Sequence, residues 1–346
     1  MNSHIKRIGF GFAGNLTAYI RVLAVFMLCA ITPVMLDGQS RILFGEAQMV
    51  GSWESVSNEI RPYSMHPHEA MQRPSVGFDL LQRFGSQDRD WGYLAIQARL
   101  TWDENRSSQL EAQLYNAYLN FKGPFFDTWV GYNKPALGLS STLDNHAVLL
   151  MDNTMSGLVL DRDWGVGLNL DRQTPELKLS FTTGSGLSLY QDESWLLAGR
   201  MALGRFNQDN FSLGASFATG NVFKTMGYNI MHNKVPHELL LGGVDFSKRI
   251  MEWELRSEAL YGSFHNDLAY TSLARLTWYP LTEDRMGISL QGQFQEIKAS
   301  AVQNYSAGVD YRITPDLSIR TVYNLQQPTD SHVVALQLYY LKALPF

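Results

Sequence analysis

The sequence predicts an all-β protein, a closed antiparallel transmembrane β-barrel of about 16 strands, with about 14 as the alternative count. Three observations carry that prediction. Between Ser75 and Leu341, about fifteen segments alternate apolar and polar residues with a period of two, the pattern of strands with one apolar face. Many run about 9 to 13 residues, longer than the roughly 5 to 6 of a soluble strand and close to what a tilted strand needs to cross a bilayer. Only 18% of the 346 residues are charged against 12% aromatic and 45% hydrophobic, whereas soluble domains carry roughly 25% charge.

The chain opens with Lys6, Arg7 and Arg21, then an apolar run from Val22 to Leu36. That is the order of an export signal, and Pro33 with the short run argues against a membrane anchor. The expected division is a leader over 1–47, cut after Ala47 or alternatively near Gly38, and a single barrel domain over 48–346. The one Cys, Cys29, falls inside the leader, so the exported chain needs no disulfides and offers no thiol chemistry.

The strands follow in order. Leu94, Ile96, Ala98, Leu100 and Trp102 oppose Ala95, Gln97, Arg99 and Thr101. Met251, Trp253, Leu255, Ala259 and Tyr261 oppose Glu252, Glu254, Arg256 and Glu258. Met286, Ile288, Leu290 and Phe294 oppose Ser289, Gln291, Gln293 and Gln295. Tyr305, Ala307, Val309 and Tyr311 oppose Ser306, Gly308, Asp310 and Arg312. Leu317, Ile319, Tyr323 and Leu325 oppose Ser318, Arg320 and Asn324. Trp102, Tyr132, Trp195, Trp253, Tyr261, Trp278, Tyr311, Tyr323 and Tyr340 mostly fall near segment ends, where an aromatic girdle meets the lipid interface.

Connections alternate in length. Short ones lie near Gly123, Arg172, Asn207, Lys248, Leu281 and Thr314, and longer ones at 133–162, 184–193 and 220–236. Short periplasmic turns and long extracellular loops have this asymmetry. Parity then requires an additional upward strand before Val76, expected over Gln48 to Val56, with Phe346 returning to the periplasmic side.

Open strands cannot stand in lipid with unpaired backbone, so the sheet must close. Charge placed at the lipid midplane costs about 2 to 4 kcal/mol for Arg or Lys, which turns Arg99, Arg200, Glu252, Glu254, Arg256, Glu258, Arg275, Asp310, Arg312 and Arg320 inward as pore-lining residues, together with Lys178 and Asp245. A barrel of about 16 strands leaves a wet lumen unless something fills it. The connection from Asn133 to Arg162 holds the apolar stretch Ala147 to Met151 and is expected to fold inward as a constriction loop, carrying Lys134, Asp144, His146, Asp152, Asp161 and Arg162.

Around that loop the residues resemble a known family. Gly131-Tyr132-Asn133-Lys134-Pro135, the pair Gly138-Leu139 and the re-entry run Asp161-Arg162-Asp163-Trp164-Gly165-Val166-Gly167-Leu168 are similar to the phosphate-selective porin O and P family. The resemblance covers about 40 residues. It implies a sixteen-stranded, often trimeric porin with an inward loop after the fifth strand, the position that strand counting also gives. It departs where phosphate selectivity resides: between Asn133 and Arg162 only Lys134 and Arg162 are basic, against Asp144, Asp152 and Asp161. Wall arginines facing loop carboxylates would set a transverse field that favours small polar solutes. Alternatively those arginines pair with Glu252, Glu254 and Glu258 and stiffen the wall.

The C-terminal segment from His332 to Phe346 resembles the signal read by the outer-membrane barrel assembly machinery, with Lys342 and Pro345 as departures. His66, His68 and Glu69 could ligate a metal or simply form a polar loop, and His265 with Asn266 and Asp267 reads as ordinary turn chemistry. No cofactor motif appears, and His146 has no serine in a matching strand context, so no enzyme is expected. With net charge −5 and no basic cluster, no nucleic-acid partner is expected. The functional expectation is an outer-membrane porin of a Gram-negative-type bacterium, passing ions and small hydrophilic solutes. The alternative is a plugged structural or receptor barrel.

Overall fold

The computed structural model describes residues 40–345 other than 65–71, 87–88, 103–109, 144–147, 157, 171–174, 190–192, 227–228 and 231–234. Residues 1–39 of the expected 1–47 leader, His66, His68 and Glu69, and the terminal Phe346 lie outside the described residues. Sixteen antiparallel strands close into a barrel. The first eight are β1 (Arg41–Glu54), β2 (Ser75–Ser86), β3 (Arg89–Trp102), β4 (Leu110–Lys122), β5 (Asp127–Asn133), β6 (Asp163–Leu170), β7 (Glu176–Thr182) and β8 (Trp195–Leu203). The rest are β9 (Phe211–Val222), β10 (His237–Ile250), β11 (Trp253–Phe264), β12 (Asp267–Trp278), β13 (Met286–Ile297), β14 (Ser300–Thr314), β15 (Leu317–Gln327) and β16 (Ser331–Leu344).

Closure is made by β1. One edge pairs with β16 from Leu43↔Leu344 to Glu54↔Val333, and the other with β2 from Arg41↔Gln82 to Gln48↔Ser75. A short strand, Glu59–Arg61, extends the second edge against Ser52–Glu54. No long edge of backbone donors is left facing lipid, the condition a membrane imposes.

The strand preceding Val76 therefore exists, but it begins at Arg41 rather than Gln48. Its inward face is Glu46, Gln48, Val50, Ser52 and Glu54, all buried, while Met49 and Trp53 point out. Gly45, Ala47 and Gly51 occupy three more outward positions, so its apolar signal is weak in sequence. A cut after Ala47 would remove half of the strand that closes the barrel, whereas a cut near Gly38 leaves it whole.

Alternation elsewhere follows the expected faces. On β13, Leu290 is 59% exposed while its neighbour Gln291 is 5% exposed, and on β14 Tyr305 is 50% exposed beside Ser306 at 6%. Trp253 and Trp278 stack at 5.7 Å where β11 begins and β12 ends, and Trp102 closes β3 with its ring exposed. Tyr132 departs from the expected girdle. It is buried with Trp164, Leu114 and Ala117, and the indole of Trp164 donates to the Leu187 carbonyl at 3.0 Å, so Leu187 of the following connection covers this part of the outer face.

The length asymmetry of the connections holds only over the first half of the chain. From β11 onward the loop-bearing end is joined by residues 265–266, 298–299 and 328–330 alone. His265, Asn266, Lys298 and Ala299 all take positive φ, which gives two-residue hairpin turns the twist that matches their strands. At the opposite end Arg249 donates to both carboxylate oxygens of Asp284 at 2.8 and 2.6 Å. That hydrogen bonding holds the turn carboxyl of Asp284 below the usual carboxylate range.

The two faces make an asymmetric prediction. Leu290→Arg on the lipid face is expected to destabilise the barrel by about 2 to 4 kcal/mol in urea titrations on lipid vesicles. Wild-type stability in that variant would contradict the assigned face.

Candidate functional site

The described residues of the connection between β5 and β6, 134–143, 148–156 and 158–162, lie inside the barrel and touch opposite walls. They belong to the inward loop after the fifth strand that the sequence indicates. Backbone donors at its start meet inward side chains of successive walls. Ala136 N donates to Ser180 Oγ of β7 at 2.9 Å, Gly138 N to Ser216 Oγ of β9 at 3.0 Å, and Leu139 N to Glu258 Oε1 of β11 at 2.7 Å. Gly138 has φ 53, and a Cβ built there would lie 1.6 Å from Glu258 Oε1. Only glycine lets the chain approach that carboxylate so closely.

The loop's second half is held from the same side of the barrel. Arg275 Nη2 and Gln291 Nε2 both donate to the Met151 carbonyl, at 3.1 and 2.8 Å, and Gln293 Nε2 donates to that of Asp152 at 3.0 Å. Asn153 links three strands. Its Nδ2 donates to Glu258 Oε2 at 2.5 Å, and its Oδ1 accepts from Thr271 Oγ1 at 2.9 Å and Gln293 Nε2 at 3.2 Å. One carboxylate, Glu258, thus receives donors from both halves of the loop.

Apolar contacts supply the area. Leu137, Leu158, Val159 and Leu160 pack on inward residues of β8 to β12, among them Leu196, Val222, Leu241, Leu260 and Phe264. Leu149 and Leu150 reach the opposite wall, on Val50 of β1, Val322 of β15 and Ala335 of β16. Each fully buried large apolar side chain contributes about 1.5 to 3 kcal/mol, against a net of roughly 0.5 to 1.5 for a typical hydrogen bond. Apolar burial therefore holds the loop inside, and the hydrogen bonds set where it sits.

The sequence-predicted charges are distributed unevenly around this loop. Arg200 of β8 is buried and binds Asp245 of β10 through Nε at 2.9 Å and Nη2 at 2.6 Å. Arg256 pairs with Glu254 at 2.5 Å, and Arg320 pairs with Asp310. Lys178 pairs with Glu176 at 2.7 Å. Arg99 donates to Gln113 Oε1 at 2.9 Å and Gln72 Oε1 at 3.2 Å, and its guanidinium lies 4.4 Å from the Tyr115 ring centre. Arg162 approaches the same ring at 5.2 Å and pairs with its neighbour Asp161. Lys134 donates to the Leu143 carbonyl.

Of the two sequence alternatives, wall pairing is the one these contacts resemble, with Glu254 as an expected partner and Asp245 and Asp310 in place of Glu252 and Glu258. Asp245, Glu254 and Asp310 take the arginines, while Glu258 serves the loop. Glu252 is corrected outright: it is an exposed residue of the two-residue turn between β10 and β11 and not part of a lumen face. Arg312 is exposed near the turn end of β14, with Nη2 3.5 Å from the Asp284 carbonyl. Asp144 and His146 lie outside the described residues. Asp152 is buried, with Oδ1 accepting from Thr154 N and Oγ1 at 2.9 and 2.5 Å; burial and then the charge of Asp161 push its carboxyl up. Asp152, Glu258, Arg256 and Arg275 line one 10 Å³ cavity between loop and wall, room for about one water.

Sequence reasoning missed the apolar inner wall. Inward residues were expected to be polar, yet the loop-end halves of β8 to β12 turn Leu196, Ala218, Leu239, Leu241 and Ala269 inward. The run Leu239-Leu240-Leu241 is the available signal, because a strand apolar on both faces must be covered on both.

Sixteen closed strands, an apolar outer belt, charged inner residues and an inward loop after the fifth strand define the fold of outer-membrane porins. No protein-family model matches the chain, and no curated protein matches its sequence. Among solved structures, a loop-deletion form of OmpT, an outer membrane protein of Vibrio cholerae, aligns with TM-score 0.62 at 10% identity, covering 88% of this chain and 100% of that one. The anion-selective porin from Comamonas acidovorans aligns with TM-score 0.61 at 9% identity, over 88% and 100%. The outer membrane channel DcaP of Acinetobacter baumannii aligns with TM-score 0.56 at 15% identity, over 88% and 98%. The shared property is the fold.

Glu258 supplies the sharpest test of the loop's attachment. Glu258→Ala leaves the Leu139 N–H and the Asn153 amide without their acceptor, each at a cost of about 1 to 3 kcal/mol. Urea unfolding followed by tryptophan fluorescence is expected to show that loss, with Glu258→Gln losing less because its Oε1 still accepts from Leu139. Equal stability of all three proteins would show that the loop is not tied there.

Proposed function

We propose that the chain is a porin of the outer membrane of a Gram-negative-type bacterium, a passive channel through which ions and small polar solutes diffuse with no chemical step. The observation that carries this reading is the closed sixteen-stranded barrel whose lumen is narrowed by a loop tied to its inner wall. A barrel of this size encloses space, and an inward loop converts it into a size filter. The aligned anion-selective porin and the DcaP channel support transport as the purpose of such a barrel.

The charge pattern supports weak ion preference. Arg200, Arg256 and Arg320 face carboxylates of the same wall, and the charges of Arg275 and Lys134 are opposed by that of Asp152, so little net field of one sign is left to select phosphate. The phosphate-type resemblance is thus carried as fold and not as substrate. Assembly as a homotrimer is proposed by analogy with OmpT of Vibrio cholerae, for which a trimer form is described. Insertion by the barrel assembly machinery through β16 and the terminal Phe346, and leader removal near Gly38, complete the reading.

One observation favours a second reading. Leu149 and Leu150 touch the wall opposite the loop's origin, so the loop spans the lumen, as a plug in a structural or receptor barrel would. Single-channel recording in a planar bilayer under a salt gradient separates the two. Discrete steps with a reversal potential near zero are expected for the channel. A folded, heat-modifiable barrel that gives no steps would overturn it in favour of the plug.

A further inference from the structure

At the edge of the apolar inner wall, beside Phe264, two imidazoles converge on the loop-bearing rim. His237 opens β10, and His265 is the first residue of the two-residue turn between β11 and β12. Their Nδ1 atoms lie 3.1 Å apart, with ring centres at 4.4 Å and planes at 66°. Ions bound by imidazole sit about 2.0–2.1 Å from each nitrogen. Two nitrogens at this separation would then subtend roughly 100° at a shared ion, between the square and tetrahedral angles.

We propose that His237 and His265 form a two-ligand site for a borderline divalent cation, Cu²⁺, Ni²⁺ or Zn²⁺, with solvent completing the coordination. The backbone sets up the pair before any ion arrives. His265 and Asn266 take φ 54 and 63, and the His265 amide donates to the Glu238 carbonyl at 2.8 Å. That bond fixes the turn beside the residue that follows His237. The Phe264 ring flanks His237 at 5.5 Å. An ion there takes the place of the proton of an N–H···N contact, which moves to Nε2 of its own ring so that both neutral imidazoles present a bare Nδ1.

Lys224 acts on His237 through its charge and opposes a cation. Among the described residues no set of three or more His, Cys, Asp or Glu converges, so the site holds its ion less tightly than a three-ligand centre. Bound metal would link the start of β10 to the β11–β12 turn at the rim.

The probe is Cu²⁺ added to the refolded full-length barrel, read by electron paramagnetic resonance and by titration calorimetry. One equivalent with a two-nitrogen signature is expected in the wild type. His265→Asn, a residue that tolerates the left-handed turn, and His237→Gln are each expected to lose the signature and at least about tenfold in affinity. Lys224→Gln is expected to bind more tightly. A His66→Ala/His68→Ala double variant is expected to bind like the wild type. A signature retained in His265→Asn and His237→Gln, one lost in the His66/His68 variant, or no binding above that of the rim variants would overturn the proposal.

Discussion

Everything in this molecule depends on the pairing of β1 with β16. In lipid an unpaired backbone donor or acceptor costs several kcal/mol, so long amphipathic strands are stable there only when the sheet meets itself. The twelve-position register from Leu43↔Leu344 to Glu54↔Val333 makes that closure. It also fixes which face of every strand looks outward, because a one-residue slip would turn each side chain to the other side. Leu290 therefore meets lipid and Gln291 meets the interior.

Closure at sixteen strands creates a second problem, an interior too wide for wall side chains to fill. The chain meets it with residues 134–162. Two kinds of contact divide the task. Leu158, Val159 and Leu160 cover an apolar patch that would otherwise face water, which gives a reason for the loop to enter. Ser180, Ser216, Glu258, Gln291 and Gln293 accept from or donate to specific points along it, which gives it a place. Gly138 shows how tight that place is, since any side chain there would collide with the Glu258 carboxylate.

The fold was legible in the sequence because alternation, strand length and parity are consequences of one geometry and agree with one another. The loop's position after β5 was legible for the same reason. β1 was harder to bound, as Gly45, Ala47 and Gly51 give its lipid face little apolar contrast. The lining of the lumen was read only in part. Alternation shows that Arg200 and Glu258 face inward, but their partners come from strands distant in sequence: Asp245 for one, Leu139 and Asn153 for the other. Spacing along the chain carries no trace of such pairings. The imidazole pair was hidden likewise, its members 28 positions apart and nothing but turn chemistry visible at His265.

Tied to Ser180, Ser216 and Glu258, the loop that follows β5 is a fixed part of the interior and not a surface loop lying over the mouth. Hydrogen–deuterium exchange of the folded barrel tests it most directly at the amides of Ala136, Gly138 and Leu139, which donate to three different walls. These amides are expected to exchange as slowly as those within the strands. Exchange at the rate of an open loop would contradict it.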